Sequence, residues 1–141
     1  MKYFKTLVII VSYLSGRAQK SEKENVKKTI DTFFLHFHNQ DTTTLRSLFH
    51  SDNKMQTIGI DKSGNPRIKT ENVGDFLKSL ISIPDSIMIE ERLIDYKIMT
   101  DGPMATAWTA YEFYVNGKFS HCGVNNFQLF KDTEKGWLIT Y

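Results

Sequence analysis

The chain has 141 residues, which favours one domain, and a formal net charge of +2 from 18 basic and 16 acidic residues. These charges form no basic cluster, which argues against a nucleic-acid partner. The single cysteine, Cys122, excludes an internal disulfide. A buried, inert thiol is its expected state, and a reactive or intermolecular thiol is the alternative.

The N-terminus has the order of features that is typical of a secretory signal peptide. Lys2 and Lys5 precede the apolar run LVIIVSYL, and a small-x-small cleavage site ends at Ala18. The apolar run is far shorter than the roughly 20 residues that a membrane span needs. We therefore expect residues 1–18 to be a signal peptide and residues 19–141 to be one domain without a membrane span. An ordinary first helix or strand is the alternative.

Removal of such a leader would change the charge and fix the location of the protein. Without Lys2, Lys5 and Arg17 the chain keeps 15 basic residues against 16 acidic ones, a net charge near −1. The protein would then be periplasmic or secreted.

Three helices are predicted before the long strands. Residues 21–24 (SEKE) match a capping box, and the apolar residues from Val26 to Phe37 recur on one face of the helix that follows. Asp41 is predicted to cap a short second helix. Thr70 is predicted to cap a third helix, which Pro84 prevents from continuing.

A short hairpin is predicted between the second and third helices, and four long antiparallel strands after the third. Residues 56–60 and 67–69 flank a turn-forming run, as two strands of a hairpin do. The strand at residues 86–100 changes its apolar parity between Leu93 and Ile94, which indicates a β-bulge. Asn116-Gly117 fits a type I′ turn, and Gly136 fits the last turn. The order of elements predicts an α+β fold with helices on one face of a bent sheet.

The final strands carry most of the candidate site residues. Side chains alternate faces along a strand, so His121, Asn125 and Phe127 should share one face. Trp108 and Tyr111 on the preceding strand should lie within a cross-strand step of them. The sequence therefore predicts a cluster of aromatic and polar groups that could line a pocket.

The order of elements resembles the nuclear transport factor 2-like superfamily, and more narrowly its SnoaL-like and lumazine-binding-like groups of small bacterial proteins. The resemblance covers nearly all of residues 21–141. It is carried by Phe33-Phe34, the break at Asp41, Leu48-Phe49-His50, the strand at residues 108–111, His121-Cys122-Gly123 and Gly136-Trp137. It implies a cone in which three N-terminal helices pack on a strongly curved antiparallel sheet around an internal pocket. It also implies a homodimer through the outer face of the sheet.

Five residues are predicted to bind a ligand. Trp108, Tyr111 and Phe127 would supply an apolar lining, and His121 and Asn125 would supply polar groups. His121 is the best candidate for proton transfer, because imidazole titrates near neutrality. A histidine satisfied by a neighbouring carbonyl, with no ligand, is the alternative.

Other ionisable residues have simpler interpretations. Asp95 and Glu112 could act as general bases if an apolar site raised their pKa, but a solvated face is the more ordinary position. Residues 90–92 (Glu-Glu-Arg) are expected to be a solvated run. His36 and His38, two apart on a helix, point in opposite directions, so no metal site is predicted. No motif for a phosphate, a dinucleotide or another cofactor is present, so no cofactor is predicted.

Three classes of function remain open, because the fold is shared by enzymes and by binding proteins. The first is an exported domain that binds a small apolar or aromatic molecule without catalysis. The second is a cofactor-independent isomerase, dehydratase or cyclase that uses His121 with a carboxylate. The third is a structural dimerisation module. The sequence does not decide whether the protein is an enzyme.

Overall fold

The computed structural model describes the backbone of residues 2–141 and the side chains of residue 16 and residues 18–141. The predicted order of elements is confirmed. The elements are α1 (Lys2–His38), α2 (Thr42–Ser47), β1 (Met55–Ile60), β2 (Pro66–Glu71), α3 (Val73–Ile81), β3 (Ile89–Asp101), β4 (Met104–Val115), β5 (Lys118–Asp132) and β6 (Gly136–Ile139).

Helix α1 runs through the predicted capping box, so the predicted helix start at Ser21 is wrong for this chain. Glu22 reaches across to the sheet, where its carboxylate accepts hydrogen bonds from Lys131 Nζ at 2.7 Å and Trp137 Nε1 at 3.0 Å. Most of the predicted signal peptide, residues 1–15 and 17, has side chains that lie outside the described part of the chain. The leader therefore stays a prediction.

The caps of the two shorter helices lie close to their predicted positions. Asp41 caps α2 as predicted, and its carboxylate accepts from the Thr44 backbone N–H at 3.0 Å. Helix α3 is capped by Asn72, whose side chain accepts from the Asp75 N–H at 2.9 Å. The predicted cap, Thr70, is instead still paired with Gln56 in the hairpin. The strand thus continues past the point where its sequence first permits a helix.

The strands form two sheets. β1 and β2 make a separate two-stranded hairpin, and the larger sheet has the antiparallel order β3-β4-β5-β6. The predicted bulge is confirmed, because the register of β3 against β4 shifts between Leu93 and Asp95. A second shift leaves Ser120 as an extra residue in β5. The predicted turn at Asn116-Gly117 is also confirmed, with φ angles of 50° and 74°.

The core lies between the helices and one face of the larger sheet, here called the inner face. Val26, Ile30 and Phe33 of α1 pack against Ala107, Phe127 and Leu129 of the sheet, and all six are buried. The opposite, outer face exposes large apolar side chains, which include Met99, Met104, Trp108, Val124 and Phe130. Of the helices in the described part of the chain, none has both the length and the apolarity to cross a membrane.

Candidate functional site

A cleft of about 640 Å³ lies between the inner face, α1 and the β1–β2 hairpin. This volume is in the range of sites for small molecules. Its lining is dominated by aromatic rings, which come from the helices, from the segment after α2 and from the sheet: Phe33, Phe34, Phe37, Phe49, Phe76, Tyr111 and Phe127. The predicted apolar pocket is therefore present.

Three of these rings are nearly parallel and form one wall of the cleft. The rings of Phe37 and Phe76 have centroids 6.3 Å apart at an angle of 3°, and those of Phe33 and Phe37 are 6.2 Å apart at 10°. Phe127 meets Phe33 at a steep angle of 67°. Phe33 and Phe37 lie one helical turn apart on α1, which is why they present their rings to the same side.

The cleft extends to an edge of the larger sheet. β6 pairs only with residues 129–132 of β5, and the backbone of Tyr141 bonds Gln128. Among the described residues no strand covers the edge of β5 at residues 119–126. The lining accordingly includes Val124 and Asn126 of the outer face as well as Asn125 and Phe127 of the inner face.

Glu91 of β3 is an acidic residue of the cleft lining, which also contains Lys54 and Glu71. It lies on the inner face opposite Phe113, and its Oε1 accepts a hydrogen bond from Asn125 Nδ2 at 2.5 Å. Burial raises the pKa of Glu91 to about 7, although the Asn125 bond opposes this shift. A carboxyl group of this kind is about half protonated at neutral pH, so it can both donate and accept a proton.

The expectation that residues 90–92 are a solvated run is correct for two of them and wrong for Glu91. Glu90 and Arg92 form an ion pair of 2.8 Å, and the Arg92 guanidinium lies 3.9 Å from the centroid of the Tyr114 ring. Glu91 points to the other side because it shares its parity with Ile89 and Leu93. This alternation could have predicted the inward position of Glu91 from the sequence, but its two charged neighbours suggested that the whole run is solvated.

Helix α1 and strand β4 contribute His38 and Tyr111, the residues next to Glu91. His38 Nε2 accepts a hydrogen bond from the Glu91 backbone N–H at 2.9 Å, and burial lowers the pKa of His38. Burial, together with the nearby Glu91 carboxyl, raises the pKa of the Tyr111 hydroxyl, so that it stays protonated. The Tyr111 ring lies over Gly123, where an added Cβ would come within 2.7 Å of Oη.

The five residues predicted to bind a ligand occupy three different positions. Tyr111, Asn125 and Phe127 lie together on the inner face and line the cleft. Trp108 also lines it, but from the outer face of β4 opposite Asn126, and the residue is 50% exposed.

His121 is outside the lining, although it lies on the inner side as its parity predicts. It is opposite Phe113, and the two rings stack with centroids 4.9 Å apart. Its Nδ1 lies 3.1 Å from Ser120 Oγ, and the residue is exposed to solvent. The alternation of side chains along a strand predicts which face of the sheet a residue lies on. Whether that residue lines a cavity depends on whether a helix packs over that part of the face.

The remaining candidates lie away from the cleft. Glu112 accepts a hydrogen bond from the Tyr114 hydroxyl at 2.7 Å, and Asp95 is exposed, so neither acts in an apolar site. Cys122, expected to be buried, is exposed on the outer face opposite Glu112. In the described part of the chain no three His, Cys, Asp or Glu residues are arranged to hold a metal ion.

Comparison with known proteins identifies the fold. No protein-family model matches the sequence, and no curated protein is significantly similar to it. Among solved structures, a Mycobacterium tuberculosis protein of unknown function has a TM-score of 0.69 at 16% identity, over 89% of this chain and 71% of that one.

Two further solved structures come from proteins with different assigned roles. A candidate dehydratase of the nuclear transport factor 2-like family from Streptomyces avermitilis has a TM-score of 0.65 at 16% identity, over 86% of this chain and 92% of that one. The β subunit of a candidate aromatic-ring-hydroxylating dioxygenase from Novosphingobium aromaticivorans has a TM-score of 0.68 at 12% identity, over 86% of each chain. The predicted nuclear transport factor 2-like α+β fold is therefore confirmed, and identities this low establish the fold alone.

Proposed function

We propose that this domain of nuclear transport factor 2-like fold binds a small, largely apolar molecule in the cleft between α1 and the sheet. The observation that carries the proposal is the aromatic lining of the cleft, which also contains the hydrogen-bonded pair Glu91 and Asn125 and the ring of Tyr111. Small-molecule sites typically combine an apolar wall with a few polar groups that orient the ligand. The parallel rings of Phe33, Phe37 and Phe76 suit a flat or extended apolar body.

A neutral fluorescent probe tests this proposal. N-phenyl-1-naphthylamine should bind with a blue-shifted emission, and Phe37→Leu should weaken its affinity about threefold to tenfold, since a ring contact is worth about 0.5–1.5 kcal/mol. Phe119→Leu is the matched control, because Phe119 is 57% exposed and does not line the cleft. Absence of probe binding, together with no retained ligand in native mass spectrometry of the purified protein, would refute the proposal.

A second candidate function is proton transfer without a cofactor, as in an isomerase, dehydratase or cyclase. The specific observation in its favour is Glu91, a carboxyl with a pKa of about 7 in an apolar cleft. A general base works best when its pKa lies near the working pH. Because His121 does not line the cleft, Glu91 takes the role that the sequence suggested for the histidine.

This alternative is tested with carbonyl compounds that carry an acidic α-hydrogen. Turnover should rise with pH through about 7 and disappear in Glu91→Gln. Turnover that persists in Glu91→Gln, or that is undetectable across the panel, would eliminate Glu91 as a catalytic base.

We also propose that the outer face pairs with a second copy of the chain. The support is the row of exposed apolar side chains on β3, β4 and β5, which include Met99, Trp108 and Val124. Exposed apolar patches of this kind commonly mark protein interfaces. The third function class, a structural dimerisation module, would rest on this face alone.

Export is proposed on the sequence of the first 18 residues. It is compatible with the packing of α1, since residues 18–21 are exposed and Val26 is the first buried residue in the described part of the helix. Cleavage after Ala18 would leave in place the core that the described residues form.

A further inference from the structure

The cleft combines many aromatic rings with one inward-facing carboxylate that has no charged partner. Among the described residues Glu91 forms no ion pair, and its side chain bonds only the neutral amide of Asn125. The other acidic residue of the lining, Glu71, is already paired with Lys69 at 3.2 Å. An unpaired carboxylate in an apolar site is costly, so the site favours whatever supplies the missing positive charge.

We infer that the cleft selects an organic cation, whose apolar body lies on the phenylalanine rings and whose protonated or quaternary nitrogen lies beside Glu91. This inference rests on the proposed binding function of the cleft and names the chemical class of its ligand. A neutral ligand would leave the charge of Glu91 uncompensated above its pKa, and an anion would be repelled.

The aromatic lining supports the same class of ligand. The faces of aromatic rings are electron-rich and attract cations within about 6 Å, most strongly when the site is shielded from water. Phe37 and Phe76 hold their rings parallel, and Tyr111 supplies a ring from the opposite wall. Rings together with a carboxylate therefore recognise both the body and the charge of an aromatic or aliphatic amine.

The groups packed around Glu91 do not already supply a positive charge. His38 on α1 accepts a hydrogen bond from the Glu91 N–H, and its lowered pKa keeps it neutral. On β4, Tyr111 stays protonated, and His121 on β5 stacks on Phe113, the strand partner of Glu91.

The charged residues of the neighbouring elements are placed differently. Arg92 is held by Glu90 on the outer face, and Lys54 and Glu71 line the cleft from the hairpin side. Among the described residues no basic side chain forms an ion pair with Glu91, so a cationic ligand can occupy the position beside its carboxylate.

A matched set of probes tests the inference. The set is 2-(2-naphthyl)ethylamine, its N,N,N-trimethyl derivative, the corresponding alcohol and 2-naphthylacetate, each titrated calorimetrically at pH 8. We expect the two cations to bind at least about tenfold more tightly than the alcohol, since one charge-assisted contact is gained, and naphthylacetate to bind most weakly.

The pH dependence gives a second readout on the unaltered protein. The trimethyl derivative has a fixed charge, so only groups of the protein titrate. Its affinity should rise about tenfold from pH 6 to pH 8, as Glu91 passes from mostly protonated to mostly ionised, and then level off. Binding at pH 7 should release about half a proton, which titrations in buffers of different ionisation enthalpy measure.

Two variants separate Glu91 from general electrostatics. Glu91→Gln should remove both the preference for cations and the pH dependence while keeping alcohol binding, because glutamine can still accept from Asn125. Glu90→Gln, one residue away on the outer face, should change neither. If the alcohol binds as tightly as the cations, or the preference survives Glu91→Gln, the inference is wrong while the binding function stands. If none of the four probes binds, and the neutral fluorescent probe does not bind either, both fail.

Discussion

At the scale of single residues, the buried carboxyl of Glu91 affects how the stability of the fold depends on pH. Its pKa is about 7 in the folded state and near 4.5 in the unfolded chain, so the folded protein holds the proton more tightly. Stability from this group is fully present below pH 4.5 and is lost as the pH rises to about 7. The difference in pKa corresponds to about 3 kcal/mol, as an upper value.

We therefore expect Glu91→Gln to stabilise the protein at pH 8 by about 1–3 kcal/mol relative to the wild type, and to change little at pH 4.5. Urea denaturation at both pH values measures this difference. Glu90→Gln, whose carboxylate is paired on the outer face, should show no such gain at pH 8. An equal effect of Glu91→Gln at both pH values would mean that its carboxyl is not desolvated.

Gly123 is constrained by the ring that lies over it. In Gly123→Ala the new methyl would come within 2.7 Å of Tyr111 Oη, so the tyrosine must move out of the cleft wall. We expect a loss of about 1–3 kcal/mol in stability and weaker binding of the neutral probe. Gly59→Ala is the matched control, because it is also a strand glycine but has nothing within 4 Å of the new Cβ. Similar losses in both variants would indicate a general effect of alanine in strands.

At the scale of elements, the periodic and turn signals of the sequence predicted the strands, the bulge after Leu93 and the turn at Asn116-Gly117. These features depend on local conformation and on the burial of alternate residues. The start of α1 and the cap of α3 could not be predicted in this way. Helix α1 continues through Ser21, although the pattern Ser21–Glu24 taken by itself permits a helix start there. The cap of α3 depends on a partner elsewhere in the chain, because Thr70 is still paired with Gln56 in the hairpin.

The candidate site was predictable only in part. The parity of β4 and β5 correctly grouped Tyr111, Asn125 and Phe127 on one face. It could not show that the helices leave His121 uncovered. The position of Glu91 could have been predicted by applying the alternation of side chains to residues 90–92, instead of assigning all three charged residues to solvent.

Helix α1 also carries the prediction of export. Expression in a bacterial host that exports the protein should yield a mature chain beginning at Gln19, as intact-mass measurement of the periplasmic or secreted fraction would show. An Ala18→Arg variant should block cleavage, whereas Gln19→Ser, which keeps the small residue before the cut, should not. Recovery of the full-length wild-type chain from the cytosol would contradict the prediction.

At the scale of the whole molecule, the outer face predicts a homodimer. Light scattering at micromolar concentration should give twice the chain mass, and Met99→Lys should shift the protein to monomer by placing a charge in the paired face. Ile60→Lys, at an equally exposed apolar residue of the hairpin, should leave the mass unchanged. A wild-type monomer under these conditions would refute the dimer.

The free edge of β5 at residues 119–126 lies next to the cleft, so we expect ligand binding to affect solubility. An unpaired strand edge offers its N–H and C=O groups as a template to any other extended chain. Here that edge borders the opening of the cleft. In the ligand-free protein, unpaired backbone N–H and C=O groups therefore lie next to uncovered aromatic rings. We expect the ligand-free protein to aggregate sooner on storage than the liganded protein, because a bound molecule covers the aromatic rings beside the unpaired strand edge.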